Sequence, residues 1–275
     1  MTVDVGSAQG RSQRPRNRQQ LIAEEVMNEG TVRIEALAEK YGISLMTAHR
    51  DIDALAARGV VRKSRGAVTA LPSSLVEASD VYRRGRSGRA KQALARAAME
   101  WVQPGQAVIL DDSTTTEHIV PLLSEKTPLT IITNFLSIIT QLTSEPDITL
   151  VTLGGRFYPW ANGFLGPMTI RAVRELHADL LILSSSAISD GVAFHQTEET
   201  VATKRAMFAA AEQRIMLLDH TKFDKRALHA LLPLRDFDVV IVDHETPAER
   251  VAELRDSGIT VQVASYVPAH GGPES

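Results

Sequence analysis

The N-terminal part of the chain alternates between helical and extended patterns of apolar residues. Apolar side chains at Leu21, Ile22 and Val26 have helical spacing, and Gly30 is a residue type that commonly ends helices. The next three residues, 31–33, have the pattern of a short extended segment. The sequence therefore predicts one helix followed by a short strand.

A second and a third helix follow, separated by a tight turn. The second helix places Ile34 and Leu37 on one face and ends at Gly42, which adopts the left-handed backbone conformation easily. Ser44 is a suitable N-cap for the third helix, 44–58, because its hydroxyl can accept a hydrogen bond from a backbone N–H of the first turn. Apolar residues of the third helix recur at i, i+4 and i+7, so this face is predicted to pack inward.

A basic hairpin completes the N-terminal pattern. Residues 60–69 alternate as two strands around a turn near Ser64 and Gly66. Two helices joined by a tight turn and followed by a basic hairpin are typical of a winged helix-turn-helix, whose exposed helix fits the major groove of B-DNA. The alternative is a generic three-helix unit with a solvated charged face.

The exposed side of the third helix and the tip of the hairpin form the predicted DNA-binding surface. Thr47, His49 and Arg50 are candidates for contacts to base edges, and the hairpin cations are candidates for phosphate contacts. The full set of candidates is Ser44, Met46, Thr47, His49, Arg50, Arg62, Lys63 and Arg65.

The rest of the chain alternates short, apolar, β-branched segments with helical ones. Strands are predicted at Ala107–Leu110, Leu129–Thr133, Ile148–Leu153, Leu180–Leu183, Arg214–Leu218, Val239–Val242 and Val261–Ala264. Helices are predicted at Arg86–Val102, Thr115–Leu123, Asn134–Thr143, Thr169–Leu176, Val201–Glu212 and Pro247–Ser257. The predicted fold class is an α+β winged helix-turn-helix followed by an α/β domain with an open, mainly parallel sheet.

Polar residues follow five of these strands, at the edge where ligands of open α/β sheets bind. Hydroxyls and free N–H groups at helix N-termini favour anions. Taken singly, each cluster is more often an N-cap, a turn, a polar loop or a solvated helix face, but five clusters in succession predict a small-molecule pocket. The candidate effector-binding residues are Asp111, Asp112, Ser113, Thr114, Thr115, Thr133, Asn134, Gly154, Gly155, Lys204, Asp219 and Lys222.

Charge separates the two parts of the chain. Residues 1–91 carry 16 Lys and Arg against 10 Asp and Glu, a net of +6, whereas the remainder carries 14 against 23, a net of −9. A basic front suits a module that attracts the phosphates of double-stranded DNA. The chain has no cysteine, no apolar run of the roughly 18 residues that a membrane helix needs, and no apolar segment near its N-terminus typical of a signal peptide. We therefore expect a cytoplasmic protein without membrane association, and we predict no catalytic residues, no cofactor and no metal site.

Breaks in the pattern suggest the domain organisation. Pro72 and the serines after it interrupt the hairpin pattern and precede a basic stretch. The predicted segments are a disordered tail at 1–15, a winged helix-turn-helix at 16–70, a linker at 71–90, an effector-sensing and oligomerisation domain at 91–268 and a tail at 269–275.

The chain resembles the DeoR-type transcriptional regulators from about Arg16 to about Ala264. The helix signature of that family, a Ser cap followed by T-I-R-R-D-L, is matched at 44 and 47–52. Ser64–Arg65–Gly66–Ala67 stands in the place of the family's wing motif H-G-G-A, and the family's sensor motif L-D-S-G-T-T is matched at 110–115. Further matches are T-N at 133–134, L-G-G at 153–155, K-R-A-M at 204–207 and D-x-x-K-F at 219–223.

The resemblance implies a repressor, less often an activator, controlled by a phosphorylated sugar or related metabolite bound to a sensor domain related to sugar-phosphate isomerases. Because symmetric oligomers commonly bind paired half-sites, a dimer or tetramer is expected. Ala48 and His49 depart from the family's Ile and first Arg. Ser113, Ser184 and Ala187 replace glycines, and the Cβ of Ser113 intrudes where backbone would approach an anion.

Two other classes of function fit parts of the sequence. One is an isomerase-like or kinase-like enzyme fused to a DNA-binding head, in which Asp111 or Asp219 would act as a general base. No G-x-x-x-x-G-K-[ST] phosphate loop is visible. The other is a constitutive DNA-binding oligomer that responds to no effector.

Overall fold

The computed structural model divides the chain into two compact units, with the boundary between Arg86 and Ser87. The structure describes residues 18–19, 21–23, 25–26, 29–57, 60–70, 83–84 and 86–265. Both predicted tails and most of the predicted linker 71–90 lie outside these residues. None of the helices in the described ranges has the length and apolar character needed to cross a bilayer.

The first unit is a winged helix-turn-helix, as the sequence predicts. Helical residues between 18 and 29 precede the labelled elements. These are β1 (Thr31–Arg33), α1 (Ile34–Lys40), α2 (Leu45–Ala57), β2 (Val61–Ser64) and β3 (Ala67–Ala70). The strands form an antiparallel sheet in the order β1-β3-β2. Gly42 has the predicted positive φ, at 59°, and Ser44 Oγ accepts from the backbone N–H of Thr47 at 3.2 Å, which confirms the N-cap.

A buried carboxylate joins α2 to the preceding helical residues. Asp51 is 3% exposed, and its two oxygens accept from Arg18 Nε at 2.6 Å and from Gln19 Nε2 at 2.9 Å. Ala48, Ile52 and Leu55, also on α2, are fully buried in the apolar core of this unit. Asp51 therefore fixes α2 by charge-assisted hydrogen bonds as well as by packing.

The second unit is an α/β domain built on a seven-stranded parallel sheet. The strands of this sheet are β4 (Ala107–Leu110), β5 (Leu129–Thr133), β6 (Ile148–Thr152), β9 (Ala178–Ser184), β12 (Ala211–Leu218), β14 (Val239–Val242) and β15 (Val261–Val263). Their order is β15-β14-β12-β9-β4-β5-β6, and every neighbouring pair is parallel. The α-helices are α3 (Gly88–Ala98), α4 (Leu136–Leu142), α5 (Pro167–Arg174), α6 (Glu198–Ala209) and α7 (Ala248–Asp256).

Each face of the sheet is covered by helices. One core joins α3 and α4 to side chains such as Leu110 and Ile182, and the other joins α5, α6 and α7 to side chains such as Ile109 and Leu181. Successive strand residues thus enter opposite cores, as the pleat requires. The predicted open sheet with helices on both sides is confirmed.

The structure corrects several predicted elements. The segment predicted as a helix at Thr115–Leu123 is a 3₁₀ helix, Thr116–Lys126, which contains Pro121, a residue without the N–H that an α-helical hydrogen bond needs. The helix predicted at Val201–Glu212 is α6, which ends before β12 begins at Ala211. Shorter 3₁₀ helices occur at His220–Asp224 and Leu234–Asp236.

Two small antiparallel sheets were missed by the sequence pattern. One pairs β7 (Arg156–Tyr158) with β8 (Gly163–Leu165). The other has the order β10-β11-β13 and consists of β10 (Ala187–Ser189), β11 (Val192–His195) and β13 (His229–Pro233). These strands have only three to five residues, which is too short for a clear period of two.

Replacing the buried carboxylate of α2 should destabilise the first unit. Asp51→Ala leaves Arg18 and Gln19 without their acceptor, and we expect a loss of about 1.5–3 kcal/mol in the free energy of unfolding. Asp53→Ala is the matched control, because Asp53 is 60% exposed in its pair with Lys63 and such pairs contribute little. Denaturant unfolding with hydrogen exchange in α2 measures both, and equal losses would contradict the role given to Asp51.

Candidate functional site

The predicted base-reading residues lie on α2. Met46 is 73% exposed, Arg50 is exposed, and Thr47 and His49 are half-buried. At this exposure the side chain of Met46 lies in solvent and does not cover the start of the helix. Helix α2 therefore presents a polar face with one cation, Arg50, to solvent.

The wing adds three further exposed cations. Arg62, Lys63 and Arg65 are exposed on β2 and the turn that follows it. Lys63 is partly neutralised because its Nζ pairs with Asp53 of α2. The hairpin therefore supplies positive charge next to α2, in the arrangement that phosphate contacts require.

In the second unit, the polar residues at the strand ends are centred on Asp111, which directly follows β4 and is fully buried. Its Oδ1 accepts from the backbone N–H of Ser113 at 3.0 Å and from Thr116 Oγ1 at 2.9 Å. Its Oδ2 accepts from the backbone N–H of Ser184, at the end of β9, at 2.9 Å and also from Lys204 Nζ. Asp111 thus joins the ends of two neighbouring parallel strands to α6.

Lys204 is buried, although its sequence neighbourhood suggested a solvated helix face. Its side chain is 1% exposed, and its Nζ pairs with Asp111 and, at 3.2 Å, with Asp112 Oδ1. Nζ also donates to the carbonyl oxygen of Ser184 at 3.1 Å. The predicted residues Asp111, Asp112 and Lys204 are therefore brought together at the carboxyl ends of β4 and β9.

A second buried lysine was missed by the sequence-based prediction. Lys91 of α3 is 2% exposed, and its Nζ donates to Thr114 Oγ1 at 3.0 Å. A signal was present in the sequence, because Lys91 lies three and four residues before Leu94 and Ala95 and so shares their buried face. A lysine on an apolar helix face of this kind is a candidate functional residue.

Asp219 and Lys222 follow β12 and form a third charged pair. Asp219 Oδ1 accepts from the N–H of Thr221 at 3.1 Å, and its Oδ2 lies 3.6 Å from Lys222 Nζ. Burial raises the pKa of Asp219, but the charge of Lys222, the hydrogen bond from Thr221 and the charges of Lys91 and Lys225 hold it below its ordinary value. Three buried lysines and three buried aspartates therefore lie along these strand ends.

Several predicted site residues have mainly local partners. Thr133 Oγ1 accepts from the N–H of Phe135, and Ser113 Oγ accepts from the N–H of Thr116 and shares a hydrogen bond with its hydroxyl. Asn134 Nδ2 donates to the carbonyl of Phe164 at 2.9 Å. The oxygen Oδ1 of the fully buried Asn134 has no hydrogen-bond partner among the described residues, so this side chain retains an acceptor. Thr115 is buried in the same loop as Ser113.

The glycine pair after β6 serves close packing within the protein. Gly155 has φ of 150°, and a Cβ there would lie 2.2 Å from Thr169 Oγ1. That hydroxyl donates to the carbonyl of Gly154 at 2.8 Å. The close approach that the glycines permit is therefore to Thr169 of α5.

Two protein-family models match the sequence of the chain. One, described as "DeoR-like helix-turn-helix domain", matches residues 18–74, and the other, described as "DeoR C terminal sensor domain", matches residues 86–244. The chain belongs to the DeoR family. This finding confirms the resemblance inferred from the motifs, and the DeoR-family protein has the DNA-binding domain of a transcriptional regulator.

Known relatives of this DeoR-family protein extend over nearly its full length. An uncharacterized HTH-type transcriptional regulator of Escherichia coli strain K12, YgbI, is 30% identical over 250 residues, covering 91% of this chain and 98% of YgbI. The glycerol-3-phosphate regulon repressor of the same strain is 28% identical over 243 residues, covering 88% and 96%. Ribose 5-phosphate isomerase A of Methanocaldococcus jannaschii aligns with a TM-score of 0.36 and 16% identity over 48% of this chain and 53% of that one, which is too distant to carry a functional argument.

Removing the central lysine of this DeoR-family sensor unit should destabilise it. Lys204→Ala leaves Asp111 and Asp112 as buried carboxylates without their cation, and we expect a loss of about 3–5 kcal/mol in the free energy of unfolding. Lys126→Ala, at the partly exposed end of the long 3₁₀ helix, should cost no more than about 0.5 kcal/mol. Urea unfolding followed by circular dichroism measures the difference, and similar losses would exclude a central role for Lys204.

The lowered pKa of Asp219 predicts a specific acid dependence. Its folded pKa lies below the unfolded value, so its contribution to stability is present above about pH 4 and is lost as the pH falls through the folded pKa. Asp219→Asn removes that contribution, and the advantage of the natural protein over this variant should shrink between about pH 5 and about pH 3. Urea unfolding across that range tests this, and a constant advantage would contradict it.

Proposed function

We propose that this protein represses transcription by binding a DNA operator as a homo-oligomer and that a small phosphorylated, sugar-like metabolite controls it. Helix α2 enters the major groove and the β2–β3 wing contacts phosphates. The metabolite binds at the carboxyl ends of β4, β9 and β12. By favouring one arrangement of the protein over another, it changes the affinity for DNA.

One observation carries the effector half of this proposal, namely the three lysines buried at neighbouring strand ends. Lys91, Lys204 and Lys222 are between 1% and 7% exposed. Burying an ammonium group is costly unless an anion compensates it. In the sensor unit the compensating groups are internal, because Lys204 pairs with Asp111 and Asp112, Lys222 lies near Asp219 and Lys91 donates to Thr114. An anionic ligand can replace them. The hydroxyls of the Thr114–Thr116 segment add donors suited to a phosphate.

The curated relatives support the regulatory role. They are transcriptional regulators, and one is a repressor of a glycerol-3-phosphate regulon. This favours a regulator over the isomerase-like enzyme, for which turnover of a sugar phosphate by the purified protein would be the decisive result. A constitutive DNA-binding oligomer would instead bind its operator with equal affinity whatever metabolite is added.

Arg50 should contribute to operator recognition. Once genomic fragments that bind the protein have been selected, Arg50→Ala should lower the affinity for them by roughly 5- to 150-fold, the range for one lost base contact. Arg96→Ala removes the same charge from an exposed position on α3 and serves as the control. Fluorescence anisotropy at several salt concentrations measures both variants.

Two outcomes would contradict the DNA-binding half of the proposal. An unchanged affinity of Arg50→Ala would remove this residue from the recognition surface. Because phosphate contacts release counterions, affinity must also fall with increasing salt. Binding that does not depend on salt would exclude the basic surface formed by α2 and the wing.

Phosphorylated metabolites should stabilise the protein through the buried lysines. In a thermal-shift assay, a phosphorylated sugar or polyol at about 100 times its Kd adds about 2.7 kcal/mol to stability, whereas its unphosphorylated counterpart should not. Lys91→Met keeps the buried face of α3 apolar, and it should lose this stabilisation while binding operator DNA normally. Lys126→Met is the matched control.

The effector assay distinguishes a phosphate site from other sites. The melting temperature of Lys91→Met without ligand shows whether the variant folds. Thr115→Val, a change in the same strand-end region, provides a second variant that retains all three lysines. Stabilisation by phosphorylated ligands that survives in both variants would place the effector site elsewhere in the protein.

A further inference from the structure

A second cluster of charged groups lies beside the proposed effector site. Strands β12 and β14 are parallel neighbours, so their carboxyl ends meet, and each is followed by an aspartate and a histidine. His220 Nδ1 lies 2.7 Å from Asp243 Oδ2 and 3.3 Å from Glu245 Oε2. One ligand atom from each of these three residues lies within 4.8 Å of the other two. The sequence offered no metal-binding motif here because the ligands come from two separate loops.

The central carboxylate of this cluster is held in a fixed orientation. Asp243 is fully buried, and its Oδ1 accepts from the backbone N–H of His220 at 2.8 Å and from Thr246 Oγ1 at 2.9 Å. The other oxygen, Oδ2, is therefore left toward His220 Nδ1. Hydrogen bonds of this kind orient metal ligands in proteins and are part of a built site.

The cluster has an excess of negative charge. Among the described residues, Asp243 forms no ion pair with a lysine or an arginine, and its charged partner is His220. Glu245 adds a second carboxylate, with Oε2 3.3 Å from the same imidazole nitrogen. The surroundings therefore favour a cation at this position.

We propose that His220, Asp243 and Glu245 bind a divalent transition-metal ion such as Zn²⁺. One imidazole nitrogen and two carboxylate oxygens form a ligand set that suits this ion, and Glu245, which is 56% exposed, leaves the site open to water as a fourth ligand. Tetrahedral zinc with ligands at 2.0–2.2 Å separates them by about 3.3 Å. The 3.3 Å distance between His220 Nδ1 and Glu245 Oε2 already equals this separation. The 2.7 Å distance between His220 Nδ1 and Asp243 Oδ2 would increase by about 0.6 Å.

The ion would lie between His220 Nδ1 and the two carboxylates, with the imidazole in the neutral form in which histidines bind metals. The ion would join the loop after β12 to the loop after β14. His244 lies at the edge of the site, with its Nε2 3.9 Å from Glu245 Oε1, and can serve as an additional ligand after a small movement. This proposal does not depend on the identity of the effector.

Equilibrium dialysis of the full-length, untagged protein against Zn²⁺ alone tests the site. We expect one ion bound per chain. His220→Asn and Glu245→Gln should weaken binding by at least about 10-fold, since loss of a supporting group alone costs that much. His177→Asn is the control, because His177 is an exposed histidine of the same unit, and its affinity should equal that of the natural protein.

The outcomes separate a built metal site from surface binding and from an ion pair. Because Glu245 is largely exposed, Glu245→Gln should retain the melting temperature of the natural protein without metal, so weaker binding by this variant supports the proposal. Zn²⁺ binding that is unchanged in both His220→Asn and Glu245→Gln overturns it as adventitious surface binding. Absence of saturable binding by the natural protein also overturns it and leaves the cluster as a histidine–carboxylate ion pair.

Discussion

The ion pair between Lys204 and Asp111 holds together three segments that are distant in the sequence. The carboxylate of Asp111 accepts four hydrogen bonds, from its own loop, from the end of β9 and from α6. A buried pair of this kind need not add net stability, because removing both charges from water is expensive, but loss of one partner is severely unfavourable. The pair therefore specifies which strand ends and which helix meet, and this geometry defines the rest of the strand-end site.

This pairing has a consequence for ligand binding. Each buried lysine of the site already has a polar partner, since Lys91 donates to Thr114 and Lys222 lies near Asp219. The proposed anionic effector must therefore exchange with an existing partner, and the released carboxylate or hydroxyl must find another. Such an exchange couples binding to a change in the loops after β4 and β12, which is the differential interaction that an effector needs to shift a protein between two states.

The sequence predicts elements whose signal is local. Strands β4, β5 and β14 have the bounds that their short, mainly apolar and β-branched segments indicate, because strands covered on both faces favour such residues. The burial of Lys204 could not be predicted in this way. Helix α6 buries Thr200, Thr203 and Lys204 together with Val201 and Met207, so its buried face is mixed and looks solvated in the sequence. The charge of Lys204 on that face is compensated by the aspartates at the end of β4, more than 90 residues earlier in the chain.

Local sequence patterns also do not predict the partners of two adjacent residues in the loop after β12, Asp219 and His220. Asp219 pairs with Lys222 on the side of the proposed effector site, whereas His220 pairs with Asp243 at the end of β14. A cation bound by His220 would hold this loop against β14 and reduce the freedom of Asp219 and Lys222 to exchange partners with a ligand. Because rigidity at one site changes the entropic cost of binding at the other, the two sites would be thermodynamically linked even without direct contact between their ligands. By reciprocity, an effector that reorders the loop must then alter the affinity for the cation by the same factor.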